Sequence, residues 1–191
     1  MKRETSYDIM PEIQNRWSPR AISSTPVDIH DICSAMEAAR QAPSCFNEQP
    51  WRFVLATEES ELKLMRSFLT EKNQRWANKA PVLILIIAHK KFIYNGQPNR
   101  WNQFDTGTAW GYFSLELQRR GLVSHGMAGF DPERARKELG LSDDYDLIAM
   151  VAVGKLGNKD ELPLEFQAME QPGLRRVLEE TVLTVKSLQK A

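Results

Sequence analysis

Apolar and polar positions along this chain follow two rhythms, and the switches between them mark its elements. Behind Asp28, a residue suited to capping, Ile29, Ile32, Cys33, Met36 and Ala39 recur at helical spacing. Asp31 falls at the third helical position, where a carboxylate favours the N-terminal end of the helix dipole. Residues 53–56 predict a strand and residues 59–68 a helix. Pro81 then opens a strand over residues 82–89 that is apolar without interruption, the pattern of a strand buried on both faces. Residues 105–120 predict a long helix, and Ala109, Tyr112, Phe113, Leu115 and Leu117 make it apolar on more than one side. Such a helix is central to a core or lies at a subunit interface. Gly107 and Gly111 give it a smooth track, for plain helix packing or for close approach of a ligand. Asp131-Pro132-Glu133 reads as an N-cap, a first-turn proline and an acid opening a short helix to Leu139. Residues 147–153 predict a third strand, ending at Gly154. In the tail, Leu174, Val177, Leu178, Thr181, Val182, Val185 and Leu188 are spaced for a helix that packs on a partner or across its own subunit.

No repeat, low-complexity tract or Gly/Ser linker interrupts this alternation, and 191 residues suit a single domain, 1–191, with a substantial core. The 25 basic and 25 acidic side chains cancel, so no overall field draws the chain to nucleic acid or to an anionic membrane. The longest apolar run, residues 82–88, is far too short to span a bilayer. The basic pair near the N-terminus is followed by no apolar stretch of the kind a secretory signal carries. Cys33 and Cys45 form no CxxC, and so suggest neither a zinc site nor a disulfide framework. The expected setting is cytoplasmic.

Two stretches carry candidate chemistry. Arg16-Trp17-Ser18-Pro19-Arg20 gathers two guanidinium groups and a hydroxyl, a donor set suited to phosphate because the arginine fork matches phosphate oxygens and keeps its charge. Ala42-Pro43-Ser44-Cys45-Phe46-Asn47-Glu48-Gln49-Pro50-Trp51 is a turn-forming loop whose amides and carbonyls suit the polar edge of a flat heterocycle. Taken singly, the first is often solvated surface and the second a simple turn. Their order and spacing point to a site for a phosphorylated planar ring.

In that order and spacing the chain resembles the compact members of the nitroreductase family of flavin enzymes. The resemblance rests on Arg16, Ser18 and Arg20, then Ala42, Pro43, Ser44, Asn47, Gln49, Pro50, Trp51 and Phe53. It continues through Asn73, Ala80-Pro81-Val82, Asp105 with Gly107, and Met127-Ala128-Gly129-Phe130-Asp131. It implies an α+β fold with a central mixed or antiparallel sheet of three to five strands flanked by helices. It further implies an intertwined homodimer with two FMN sites at the subunit interface. Arg16, Ser18 and Arg20 would take the FMN phosphate, with Lys155 and Arg175 as weaker candidates. Trp17 stands where a basic residue or His is common, so any contact there would come from its backbone. Pro43, Ser44, Cys45 and Asn47 would reach the flavin from the opposite subunit, with Cys45 in a packing or backbone role. Asn73 would bond the pyrimidine edge. The turn Met127, Ala128 and Gly129 would aim a backbone N–H at flavin N5, Ala128 replacing a common glycine.

The implied reaction is hydride transfer from NADH or NADPH through N5 to a nitroaromatic, a quinone or a similar electron-poor small molecule, by ping-pong kinetics. No side chain is required for acid–base work; His125 is a weak candidate for polarising a substrate, against a capping or packing role. Alternatives on the same scaffold are enoate reduction, dehalogenation, flavin modification and non-catalytic flavin sensing. Residues 90–101, rich in aromatics, form either a lid over the substrate or an anchored surface loop.

Overall fold

The uninterrupted apolar run becomes the inner strand on which the rest is hung. In the computed structural model, which describes residues 3–189, four strands form one antiparallel sheet. They are β1 (Trp51–Ala56), β2 (Val82–His89), β3 (Val123–Met127) and β4 (Tyr145–Gly154), in the order β1-β2-β4-β3. Leu83, Leu85 and Ile87 of β2 point into one core, while Val82, Ile84 and Ile86 point into the other. β4 divides likewise, Met150 and Ala152 against Val151 and Val153. A strand with a core on each face has no polar side to present, which explains the missing alternation.

Nine α-helices are present among the described residues: α1 (Pro11–Asn15), α2 (Ile29–Arg40), α3 (Glu59–Phe68), α4 (Glu71–Ala77), α5 (Asn102–Arg119), α6 (Pro132–Glu138), α7 (Leu164–Gln167), α8 (Leu178–Thr181) and α9 (Val185–Leu188). α2 and α5 cover one face through Ile32, Ala35, Ala39, Ala109, Phe113 and Leu117. On the other face α3 contributes Leu62, Met65 and Phe68, joined by Trp76 of α4 and Phe166 of α7. The Asp28 carboxylate accepts from the His30 N–H at 2.8 Å and Asp131 accepts from Arg134 N–H at 3.0 Å, so both expected N-caps form.

The sheet is thus antiparallel rather than mixed. The strands over 53–56 and 147–153 extend to Trp51–Ala56 and Tyr145–Gly154. α1, α4 and β3 had no prediction, because each is short and β3, with Ser124, His125 and Gly126 at its centre, carries little apolar signal. The expected long tail helix is instead two separate turns, α8 and α9. Leu174, Val177, Val182, Leu183, Val185 and Leu188 are all exposed, so nothing within the protomer supports a longer helix.

Candidate functional site

Arg16 ends α1 and is half-buried, with its Nη1 3.3 Å from the Ser18 hydroxyl to which it donates. Burial, and then the charge of Arg175, pull the Arg16 proton affinity below its ordinary value. Arg175 itself donates from Nη1 to the carbonyls of Gly173 and Leu174, both at 3.2 Å. Among the described residues no carboxylate lies within ion-pair distance of either guanidinium. Arginines that crowd one another without a counter-charge make a field that favours an anion.

Arg20 takes a different direction. Its guanidinium sits 5.7 Å from the centre of the Phe166 ring, and its backbone N–H donates to the Glu170 carboxylate at 2.9 Å. Glu170 also accepts from the Ala21 N–H at 2.8 Å, so one carboxylate pins the segment that follows Pro19. Trp17 and Ser18 are half-buried within that segment. Lys155 lies just beyond β4 with its side chain exposed, and its carbonyl accepts from the Ser23 N–H at 2.9 Å.

His125, on β3, faces the same segment. Its Nδ1 is 3.0 Å from the Pro19 carbonyl, which makes Nδ1 the protonated nitrogen, and its ring lies 4.5 Å from that of Trp76. Burial first, and the nearby Arg20 charge, hold its pKa below the usual imidazole value, with the Pro19 bond and Glu170 acting the other way. The imidazole is therefore a neutral strut between sheet and loop.

At the end of β3, the turn Met127, Ala128, Gly129 is stitched to the junction of α3 and α4. The Gly129 carbonyl accepts from the Thr70 N–H at 3.1 Å and from the Asn73 Nδ2 at 2.9 Å. A Cβ on Gly129 would stand 2.7 Å from that same Nδ2 and 2.9 Å from the Thr70 hydroxyl, too close without displacement. Asn73 thus fixes the turn directly, and among the described residues no donor reaches its Oδ1. Met127 is buried, whereas Ala128 is exposed on the turn.

The Pro43, Ser44, Cys45, Asn47 loop is built with equal definition but at the opposite edge of the sheet. It leads into β1, and both inner strands separate it from β3. The Ser44 hydroxyl accepts from the Gln49 N–H at 2.9 Å, and the Cys45 N–H donates to the buried Asp105 of α5 at 3.0 Å. Phe46, Asn47 and Gln49 all hold positive φ, near +50°, a left-handed conformation that costs non-glycine residues energy and needs this bracing. Pro43, Phe46 and Asn47 project into the open. The Phe46 ring lies 5.9 Å from Phe92 and 6.0 Å from Tyr94, so it joins aromatics of residues 90–101. Glu48 links the two loops by accepting from the Ile93 N–H at 2.7 Å.

One protomer therefore brings Arg16, Ser18 and Arg175 together, and Asn73 with Met127, Ala128 and Gly129. It leaves the Pro43-to-Asn47 group apart. Glu170 and Asp105 emerge as supports of the two loops. Glu170 contacts a segment about 150 positions earlier, as the separation of 150 between donor and acceptor shows, and no local pattern could reveal that. Asp105 was among the residues of the resemblance, but its bond to the Cys45 N–H, 60 positions away, was not legible.

Comparison with known proteins bears on the family and the fold. Residues 13–155 match the Nitroreductase family. A protein from Thermus thermophilus named "NADH dehydrogenase" is 30% identical over 170 residues, 73% of this chain and 82% of its own. An iodotyrosine deiodinase from Thermotoga neapolitana is 24% identical over 172 residues, 78% of this chain and 87% of its own. A solved structure described as an oxidoreductase containing FMN has a TM-score of 0.90 at 34% identity, covering 96% of this chain and 94% of that one. With a family match over most of its length and a fold shared with the FMN-containing structure, the chain belongs to the nitroreductase family of oxidoreductases.

Proposed function

We propose that the chain is an FMN-dependent oxidoreductase that works as a homodimer, taking electrons from NADH or NADPH and delivering them to nitroaromatic, quinone or similar electron-poor acceptors. The observation that carries this is the half-buried Arg16, paired with Ser18, beside Arg175 and without a carboxylate. That donor set fits the phosphate of FMN. Support also comes from the FMN-containing structure at 34% identity and from the relative named NADH dehydrogenase.

Bound FMN would supply the redox chemistry, accepting hydride at N5 and passing it to the second substrate in ping-pong turns. Arg16, Ser18 and Arg175 would hold the phosphate, Lys155 standing further out. Arg20 would present charge near the ring, and Trp17 would contribute only backbone. Asn73 would offer its free carbonyl oxygen to the ring edge while keeping the turn of Met127, Ala128 and Gly129 in place. A backbone N–H of that turn would stabilise charge developing at N5 without reorganisation. Pro43, Ser44, Cys45 and Asn47 would close the site from the partner subunit, since within one subunit two strands separate them from the turn. Phe46, Phe92 and Tyr94 would form an aromatic wall for a planar acceptor. No side chain here need hold or move a proton. His125 is engaged with Pro19 and acts as support.

Two unpaired apolar surfaces favour the dimer: Phe104 and Tyr112 along α5, and the exposed tail of α8 and α9. Free Cys33 and Cys45 suit a reducing compartment such as the cytoplasm. No helix among the described residues is long and apolar enough to cross a membrane.

A direct test is spectroscopic. The purified protein should be yellow, and its flavin band should bleach anaerobically on addition of NADH or NADPH. A yellow protein that neither nucleotide bleaches would be a flavin-binding module instead. A second reading, reductive dehalogenation of a halogenated phenol, is favoured by the deiodinase relative. Halide release from a halotyrosine, with slow turnover of quinones, would select it.

A further inference from the structure

Granted the flavin reading above, we propose that Arg3 is a third cation of the phosphate clamp and the latch that joins the two arms carrying Arg16 and Arg175. The group it recognises is a phosphate monoester, assigned to FMN. Arg3 lies outside every stretch that the sequence singled out. Its Nη1 donates to the Arg16 carbonyl at 2.7 Å, and its Nε donates to the Gly173 carbonyl at 3.1 Å. Arg175 donates to that same Gly173 oxygen at 3.2 Å. Two guanidinium groups sharing one acceptor must stand side by side, and both line one cleft between the N-terminal and C-terminal arms. The Arg3 backbone is held in turn, its carbonyl accepting from the Gln14 side chain of α1 at 2.9 Å.

Arg3 is thus fixed to both arms at once, across 170 positions of sequence. A guanidinium has five N–H donors, and two nitrogens account for both bonds to the arms. Among the described residues the Nη2 edge has no acceptor, and no carboxylate pairs with Arg3. Arg3 is held below its ordinary proton affinity by burial, then by the charges of Arg175 and Arg16, and Arg16 is lowered by burial and then by Arg175. An arriving phosphate dianion would remove that repulsion and find the Nη2 edge unengaged. Without Arg3 the C-terminal arm, made of one-turn helices with exposed apolar residues, would have little to hold Arg175 at the clamp.

The test compares FMN with riboflavin, which differ only in the phosphate, by flavin fluorescence quenching on wild type, Arg3→Ala and Arg3→Lys. Loss of a charge-assisted contact predicts about tenfold weaker FMN binding in Arg3→Ala, with riboflavin affinity unchanged. Arg3→Lys keeps the charge but not the two-pronged bracing, and should recover only part. Full recovery by lysine would overturn the latch, and an equal loss for both flavins, or none, would overturn the phosphate contact. Limited trypsin digestion adds a readout independent of flavin. Cleavage at Arg175 or Arg176 should be faster in Arg3→Ala, and inorganic phosphate should protect wild type but not the variant. If wild type binds neither flavin yet shows that protection, the flavin reading fails while the latch stands. A variant with unchanged flavin affinities but a raised KM for NADPH and not NADH would move the anion to the nucleotide, against the assignment made here.

Discussion

Gly129 shows how a single position ties packing to chemistry. Its backbone does not need a left-handed conformation; it needs the absence of a side chain, because Asn73 Nδ2 would lie 2.7 Å from any Cβ. Gly129→Ala should push Asn73 aside and break its bond to the Gly129 carbonyl. That costs about 1 kcal/mol of stability, the net worth of one hydrogen bond. The same change should loosen flavin through the displaced turn, so chemical denaturation and FMN titration should both report it. An unchanged FMN affinity in a destabilised variant would separate the turn from the cofactor. At this scale the sequence disclosed residue types well and their partners poorly. Arg16 and Ser18 were legible as a donor set because they are neighbours. Glu170 and Arg3 were not, since their partners lie at the far end of the chain and only folding brings them close.

Among the elements, legibility followed burial. β2 was read to its observed limits because both faces are apolar, and the starts of α2 and α6 because their N-caps lie in the local sequence. β3 escaped notice: it is an edge strand of five residues whose centre, Ser124, His125 and Gly126, carries no apolar side chain, although Val123 and Met127 at its ends join the core. The tail misled for the opposite reason, its apolar spacing being real but without a surface in the protomer to pack on. The hidden strand has a measurable consequence. His125 is held with a depressed pKa, chiefly by burial, so the unfolded chain binds its proton more readily than the folded one. Stability should therefore be complete above the unfolded imidazole value near 6.5, and should fall as pH drops through the lower folded value. Arg20 reinforces that slope and Glu170 moderates it. Thermal unfolding of wild type should be more acid-sensitive than that of His125→Gln, which can keep a donor to Pro19 without taking a proton. Parallel pH profiles for the two proteins would count against a buried neutral imidazole.

At the scale of the whole molecule, α5 distinguishes a complete protomer from half of an assembly. Gly107 and Gly111 have open space where a Cβ would stand, Phe104 is 72% exposed beside them, and neither glycine has a positive φ that would explain its presence. If solvent covered this face, replacing a helical glycine with alanine would simply stabilise the helix by about 1 kcal/mol. If a second copy packs there, the glycines permit close approach, and a large side chain would hold the copies apart. Gly107→Leu and Gly111→Leu should then leave the protomer folded, with a native circular dichroism spectrum, while shifting sedimentation from dimer to monomer. On the proposed reading flavin should be lost with the dimer, because the Pro43-to-Asn47 loop leads into the sheet edge opposite β3 and would complete a neighbour's site. A leucine variant that stays dimeric, or a monomer that keeps stoichiometric FMN, would show the shared site to be misplaced. The sequence offered both halves of this logic, an over-apolar helix and a tail without a core. Which pairs with which is a property of two chains, and a single chain's periodicity cannot encode it.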